Sequence, residues 1–250
     1  RNIGCIPVRL AVFYLGGMVS YVAVPWQLYR LTGSNLAVGA LGVVELVPLV
    51  IFGLWGGALA DHADRRRVLV WTGVAQALLT AVLVANSLLP TAQVWVLYAV
   101  GALLSAAGSL QRPSREALVP RTVRHEELPA AVSLNSLGMQ VGLLGGPALG
   151  GILVESVGAA PAYAIDVTGL VVATALFARL RAYPPLGEGT PPSLRSIGEG
   201  ARYAVSRPDL LGTYVIDIVA MLLAMPTVLF PALAADVLQA PTVLGLLYSA

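Results

Sequence analysis

The chain has 250 residues, 57% of them hydrophobic and only 11% charged, with a mean hydropathy of +0.80. Ordinary soluble domains carry about 25% charged residues, so this composition excludes a water-soluble globule. One cysteine, Cys5, and two histidines, His62 and His125, both in loops, exclude an internal disulfide and predict no metal site.

Apolar runs of about 20 residues, long enough to cross a bilayer as helices, recur along the chain. They predict spans at Pro7–Tyr29, Leu36–Ala60, Val68–Leu89, Val94–Leu110, Pro129–Val154, Ala160–Leu180 and Leu210–Leu233, with another beginning near Val243. The fold class is all-α, a polytopic membrane helical bundle. The first run is too long for the apolar core of a signal peptide and ends in Gln27–Arg30 rather than in small residues. With sides alternating at each span, every basic residue except Arg30 falls on one face of the membrane. The positive-inside rule makes that face cytoplasmic and places the N-terminus there, in a cell or inner membrane. The basic pI therefore reflects topology, and no nucleic-acid partner is expected.

Loops on the outer side are short, as in "LTGSN", "PTAQ" and "SVGAA". The longest connection begins "AYPPLGEGTPP", a proline- and glycine-rich stretch typical of a linker. Beyond it Leu194, Ile197, Ala201 and Ala204 recur at helical spacing, with Ser196 and Glu199 placed as a capping box. The expected organisation is a six-helix bundle over 1–182, a cytoplasmic linker with an amphipathic helix over 183–209, and the opening of a second bundle over 210–250. A start without methionine and an end within an apolar run lead us to expect an N-terminal fragment.

Small residues mark where membrane helices touch, because close packing rather than hydrophobicity holds them together. Gly138, Gly142, Gly146 and Gly150 follow at four-residue intervals in span 5, Gly53 and Gly57 in span 2, and Gly101, Ser105 and Ser109 in span 4. "GGALAD" closes span 2 and "GGILVE" closes span 5, which runs the opposite way, a faint inverted echo of three helices plus three.

The turn after span 2, "GALADHADRRRVL", resembles the loop signature of the major facilitator superfamily, G-x-L-A-D-R-x-G-R-R. Gly57, Leu59, Ala60, Asp61, Arg65 and Arg66 match; His62 replaces the usual basic residue and Asp64 the usual glycine. In span 5, "GLLGGPALGG" is similar to the G-x-x-x-G-P-x-x-G-G motif that this superfamily associates with antiporting exporters, matching at Gly142, Gly146, Pro147, Gly150 and Gly151. The stretches "PWQLYRLTGSNLAVGALGVVELVP", "RPSREALVPRTVRHEELPAAVSLNS" and "MPTVLFPALA" resemble the branch containing bacterial enterobactin exporters and related drug-efflux proteins. One departure is that span 4, "VWVLYAVGALLSAAGSL", lacks the arginine usual in proton-coupled drug exporters of the superfamily.

The resemblance implies a secondary transporter exporting a small amphiphilic molecule, drug or siderophore-like, by alternating access and proton antiport, monomeric when full length and without a cofactor. It gives Gly57, Asp61, Arg65 and Arg66 a gating role. Asp61 would stabilise the positive end of a helix in the opposite bundle or pair with Arg65, Arg112 or Arg115. The span 5 motif would pack tightly against a neighbouring helix and seal the outer gate.

Acidic residues inside spans point to ion or substrate pathways, because an ionised carboxylate there costs about 2.5 kcal/mol even on the mildest scale. Glu45, Asp217 and Asp166 each lie within a span and share a helix face with small residues, so they are expected to avoid lipid. Glu45 and Asp217 lead as proton carriers; span 6 is usually peripheral in the superfamily, which favours a structural role for Asp166. Tyr14, Trp26, Gln27, Asn135 and Gln140 are expected to contact substrate, though each residue type also serves as an interfacial anchor or interhelical hydrogen-bonding group.

Two rivals are weaker. The membrane subunit of an ATP-driven permease has a similar span count, but no G-x-x-x-x-G-K-[ST] loop occurs and neither motif would be explained. An intramembrane enzyme needs paired aspartates, a metal cluster or an activated nucleophile. No histidine lies in a span, and Asp166 and Asp217 enter from opposite faces; no catalytic residue is expected.

Overall fold

The computed structural model describes residues 5–116, 126, 128–179, 202–203, 205–209, 211–213, 215–216, 219, 227–240 and 243–249. The side chains of residues 5–18, 54, 57–62, 135 and 249 are outside that description. Among the described residues all regular structure is helical. Helices α1 (Cys5–Thr32), α2 (Asn35–His62), α3 (Arg65–Ser87), α4 (Val94–Glu116), α5 (Leu128–Ser156) and α6 (Ala159–Ala178) follow the six predicted spans in order. A shorter apolar helix, α7 (Thr227–Val237), passes from a 3-10 turn through one α turn into a π turn. Helix α8 (Leu244–Ser249) closes the described chain. Of the expected linker, residues 202–203, 205–206 and 208–209 are helical and the rest of its helix lies outside the described residues, as do residues 210, 214, 217–218 and 220–226 of the seventh span.

Helices α2 to α6 each contain a stretch long and apolar enough to cross a membrane. Val43, Leu46, Val47, Val50 and Ile51 of α2 remain exposed, which suits a helix whose solvent on that face is lipid. Two turns require glycine. Gly33 has φ +61° and donates its N–H to the Tyr29 carbonyl at 2.7 Å, ending α1. Gly158, at φ +89°, reverses the chain between α5 and α6. The α3–α4 turn is held by buried Asn86, whose side chain accepts from the Gln93 N–H and donates to its carbonyl, at 2.9 and 3.2 Å.

Helix α4 extends six residues beyond the predicted span and carries Arg112 and Arg115 on helix rather than loop. Charge ends an apolar run, but backbone hydrogen bonding ends a helix; here Arg112 and Glu116 support the last turn as an i, i+4 pair at 2.9 Å.

Helix α6 packs on α1 and α3, α3 on α4, α4 on α2, and α2 touches α1, so five helices form a ring. Helix α5 packs on the outside of α1, and α8 packs on α5. The best-packed core, around Val22, Leu28, Leu83, Leu97 and Tyr163, sits in the half of the bundle farthest from Arg65–Arg67. Nearer the arginines Leu69, Gln111, Ser114 and Phe177 are buried as well.

Candidate functional site

At the arginine end, three arginines begin α3, where the helix dipole disfavours positive charge. Asp64 offsets this as the N-cap, accepting from the Arg66 N–H at 3.0 Å. Asp64, one of the two residues that depart from the loop signature, thus has a local structural task. The Arg66 guanidinium donates to the Ala178 carbonyl, tying the start of α3 to the end of α6. Arg65 is part-buried beside it, while the surroundings of Gly57 and the side chain of Asp61 lie outside the description. Gly56, their neighbour, makes a close helix approach: a Cβ there would lie 2.7 Å from the Ser109 carbonyl of α4.

In α5, Gly142, Gly146, Pro147, Gly150 and Gly151 are all buried. The neighbour they meet includes α8. A Cβ on Gly245 would stand 2.5 Å from the Pro147 carbonyl and 2.6 Å from that of Ala148. A Cβ on Gly151 would strike the Gly245 backbone in turn. The motif therefore lets two helix backbones touch without intervening side chains.

Inside the helix ring lies a cavity of about 540 Å³. Its wall is built from α1 (Ser20, Tyr21, Val24, Pro25), α2 (Val38, Leu41, Gly42, Glu45), α3 (Gln76, Thr80), α4 (Gly101 through Arg115) and α6 (Asp166, Leu170). Thr227, Val228 and Tyr248 complete it from α7 and α8. Glu45 is half-buried, and its carboxylate lies against Gly101: a Cβ there would stand 2.9 Å from Oε1. Ser105 holds the same turn of α2 by donating to the Glu45 carbonyl at 2.8 Å. Gly101 and Ser105 therefore both face α2, with Ser109 beside Gly56.

Asp166 is 1% exposed. Its Oδ2 accepts from the Ser20 hydroxyl and, at 3.2 Å, from the Ser20 N–H, while Oδ1 has no hydrogen-bond partner. The structure thus brings Glu45 and Asp166 to one cavity, although span 6 led us to expect a peripheral residue. Asp217 lies outside the described residues.

Of the residues expected to meet substrate, none with a described side chain lines the cavity. Trp26 is buried in the core with the Arg30 guanidinium 5.6 Å above its ring. Gln27 is buried too, donating to Ser87 and accepting from the Tyr163 hydroxyl, both at 2.9 Å. Gln140 is exposed on α5, and the side chains of Tyr14 and Asn135 lie outside the description. The polar residues of α3 that do line the cavity have a legible signal: Gln76 and Thr80 lie four residues apart in an otherwise apolar span.

The far end is closed by contacts reaching α1 from α7 and α8. The Tyr29 hydroxyl donates to the Asp236 carboxylate. Nearer the cavity, the Tyr248 ring meets Tyr21 and Phe230 edge-on, with centroids 5.7 and 5.1 Å apart.

Residues 8–250 match the model of a family described as transmembrane secretion effectors, within the major facilitator superfamily. Enterobactin exporters EntS of Citrobacter koseri and Shigella boydii are each 29% identical to the chain over 230 residues. Those alignments cover 92% of this chain and 55% of each relative, so the chain spans about half the length of the curated relatives it matches. Among solved structures, a mutant of the peptide transporter POT in complex with alafosfalin superposes with a TM-score of 0.60 at 16% identity, covering 86% of this chain and 46% of that one. That likeness speaks to the fold.

Proposed function

Because the chain belongs to the transmembrane secretion effector family of the major facilitator superfamily, we propose that the full-length protein is a secondary transporter exporting a small amphiphilic, siderophore-like molecule by alternating access. The observation that carries this reading is the cavity of about 540 Å³, sealed at the far end by the Tyr29–Asp236 and Tyr21–Tyr248–Phe230 contacts. Toward the arginine end the wall among the described residues narrows to α4 alone, through Gln111, Arg112 and Arg115. A chamber closed at one end and continuing toward the other is what one limb of an alternating-access cycle requires. The EntS relatives, named as enterobactin exporters, support the substrate class and the outward direction.

The arginine-rich end is cytoplasmic in this reading, and the membrane is the cell or inner membrane. Helices α7 and α8 open the second bundle, and one polypeptide forms the transport unit. The cargo enters beside Arg112 and Arg115 and reaches the mixed wall of Tyr21, Tyr248, Leu41 and Glu45. Inward proton flow drives the cycle, with Glu45 as the described carrier and Asp217 as the second. Asp61, Arg65 and Arg66 hold the cytoplasmic gate, while Gly146, Pro147 and Gly151 keep α5 and α8 in contact as the bundles rock.

The direct test uses the full-length protein in sealed vesicles of defined orientation, with enterobactin as the first cargo. Accumulation that requires the protein and an imposed gradient supports export. Transport that instead requires ATP, or no transport of any amphiphile tried, contradicts it.

A further inference from the structure

Three buried oxygens of the cavity wall have no hydrogen-bond partner: Asp166 Oδ1, Thr80 Oγ1 and Gln76 Oε1. Their residues come from two helices whose register brings them together. Arg66 meets Ala178 and Gly73 meets Thr174, so α3 and α6 run antiparallel. From that Gly73–Thr174 contact, Thr80 lies seven residues along α3 and Asp166 eight residues back along α6, rises of about 10 and 12 Å. The two therefore come level. Gln76 sits one turn short of Thr80, and Ser20 of α1 reaches the same carboxylate from the third side.

This corner gathers acceptor oxygens around one formal negative charge. Asp166 and Thr80 are each 1% exposed, so water does not satisfy them as it would at a surface. Nor does a described basic group. Gln76 lies opposite Gly108, 3.7 Å from the position a Cβ would take there. Arg112 is a full turn beyond, toward the arginine end, where it is paired with Glu116 at 2.9 Å. Arg115 lies nearly another turn farther out.

From this arrangement we infer that the α1–α3–α6 corner is a sodium site, with Asp166 Oδ1, Thr80 Oγ1 and Gln76 Oε1 as ligands and Ser20 holding the Asp166 carboxylate in place. A hard cation takes carboxylate, hydroxyl and amide oxygens of this kind. One carboxylate balances one positive charge, whereas a divalent ion would leave net charge buried in an apolar ring. The site is separate from Glu45, which lies across the cavity on α2 against Gly101. Its place in a transport cycle rests on the exporter reading above: bound sodium would draw α1, α3 and α6 together and give the cavity a second coupling ion. Its existence does not rest on that reading.

The test is sodium binding by the purified full-length protein in detergent at fixed pH and ionic strength, with choline replacing sodium. It is read as 22Na+ retention and as the sodium-dependent shift in melting temperature, since a ligand that binds only the folded state stabilises it. The wild type is expected to bind sodium saturably and to melt several degrees higher in sodium than in choline. Thr80→Val and Gln76→Leu, which keep shape and remove a ligand, are expected to weaken binding about tenfold or more. Asp166→Asn is expected to abolish it, and Glu45→Gln to leave it unchanged. A wild type that melts identically in sodium and choline and retains no 22Na+ overturns the proposal, as does full binding by Thr80→Val and Gln76→Leu together. A melting shift that follows pH alone, without sodium competition, also overturns it and makes the corner a proton site. Sodium binding without any cargo transport would retain the site and reject the exporter reading.

Discussion

The Tyr29 hydroxyl, near the end of α1, donates to the Asp236 carboxylate at the end of α7, so two helices distant in sequence are pinned at the end of the cavity away from the arginines. Opening that end requires this bond to break. Tyr29→Phe and Asp236→Ala are therefore expected to raise labelling at the far end severalfold, read with a membrane-impermeant thiol reagent at a cysteine placed on the cavity wall in a cysteine-free background. Double replacement should add little to either single change, because both remove the same bond. Unchanged labelling in all three variants would show that the contact does not hold the closed form.

Asp64 caps α3 beneath three arginines. Asp64→Ala is expected to destabilise the protein by about 1 kcal/mol, whereas Asp64→Gly, which supplies the residue usual in the loop signature, should cost only a few tenths. Thermal melting of the purified full-length protein checks the order. Equal losses in both variants would mean that the cap bond contributes little and the carboxylate acts in some other way.

The α5–α8 contact is a backbone contact. Gly245→Ala places a Cβ 2.5 Å from the Pro147 carbonyl and must push the helices apart, so detergent stability and transport rate should both fall. Gly53→Ala is the matched control, since nothing lies within 4 Å of the added carbon. Should the two variants behave alike, the close approach has no functional weight.

Asp61→Asn tests the gating role carried by the loop signature. It is expected to leave folding and insertion intact and slow transport severalfold, measured as initial rate at matched protein levels in vesicles. Arg65→Ala or Arg66→Ala, taken singly, should cost less transport, since neighbouring arginines maintain the inside bias. A normal rate in Asp61→Asn removes the gate assignment.

The helices were legible because each crosses the membrane as one apolar run, and the charged turn at 61–67 separates two of them unmistakably. Their ring was not. In lipid, apolar residues face outward as readily as inward, so α2 exposes Val43, Val47 and Val50 with no periodic stripe to give its orientation. Polar type misled for a related reason: Gln27 and Trp26 suggest a cavity, yet Gln27 bridges Ser87 and Tyr163 inside the packed end. Small residues were the better guide, except at Gly53 of α2, which was expected at a helix contact and is exposed with nothing within 4 Å of an added Cβ. Gly101 makes room for Glu45 and Gly151 for α8, because close approach leaves a mark on the sequence that a hydrogen bond between distant helices does not. The Ser20–Asp166 pairing joins residues 146 apart, and only the fold reveals it.

The account depends most on the cavity being a transport path whose Glu45 carries protons. The most direct measurement compares wild type with Glu45→Gln in proteoliposomes of the full-length protein, following pH-driven accumulation of cargo and downhill exchange side by side. Glutamine keeps the shape and hydrogen-bonding capacity of the side chain but cannot titrate. The account predicts that the variant loses most pH-driven accumulation, about tenfold or more, while downhill exchange survives within about a factor of two. Accumulation as steep as in the wild type would contradict it.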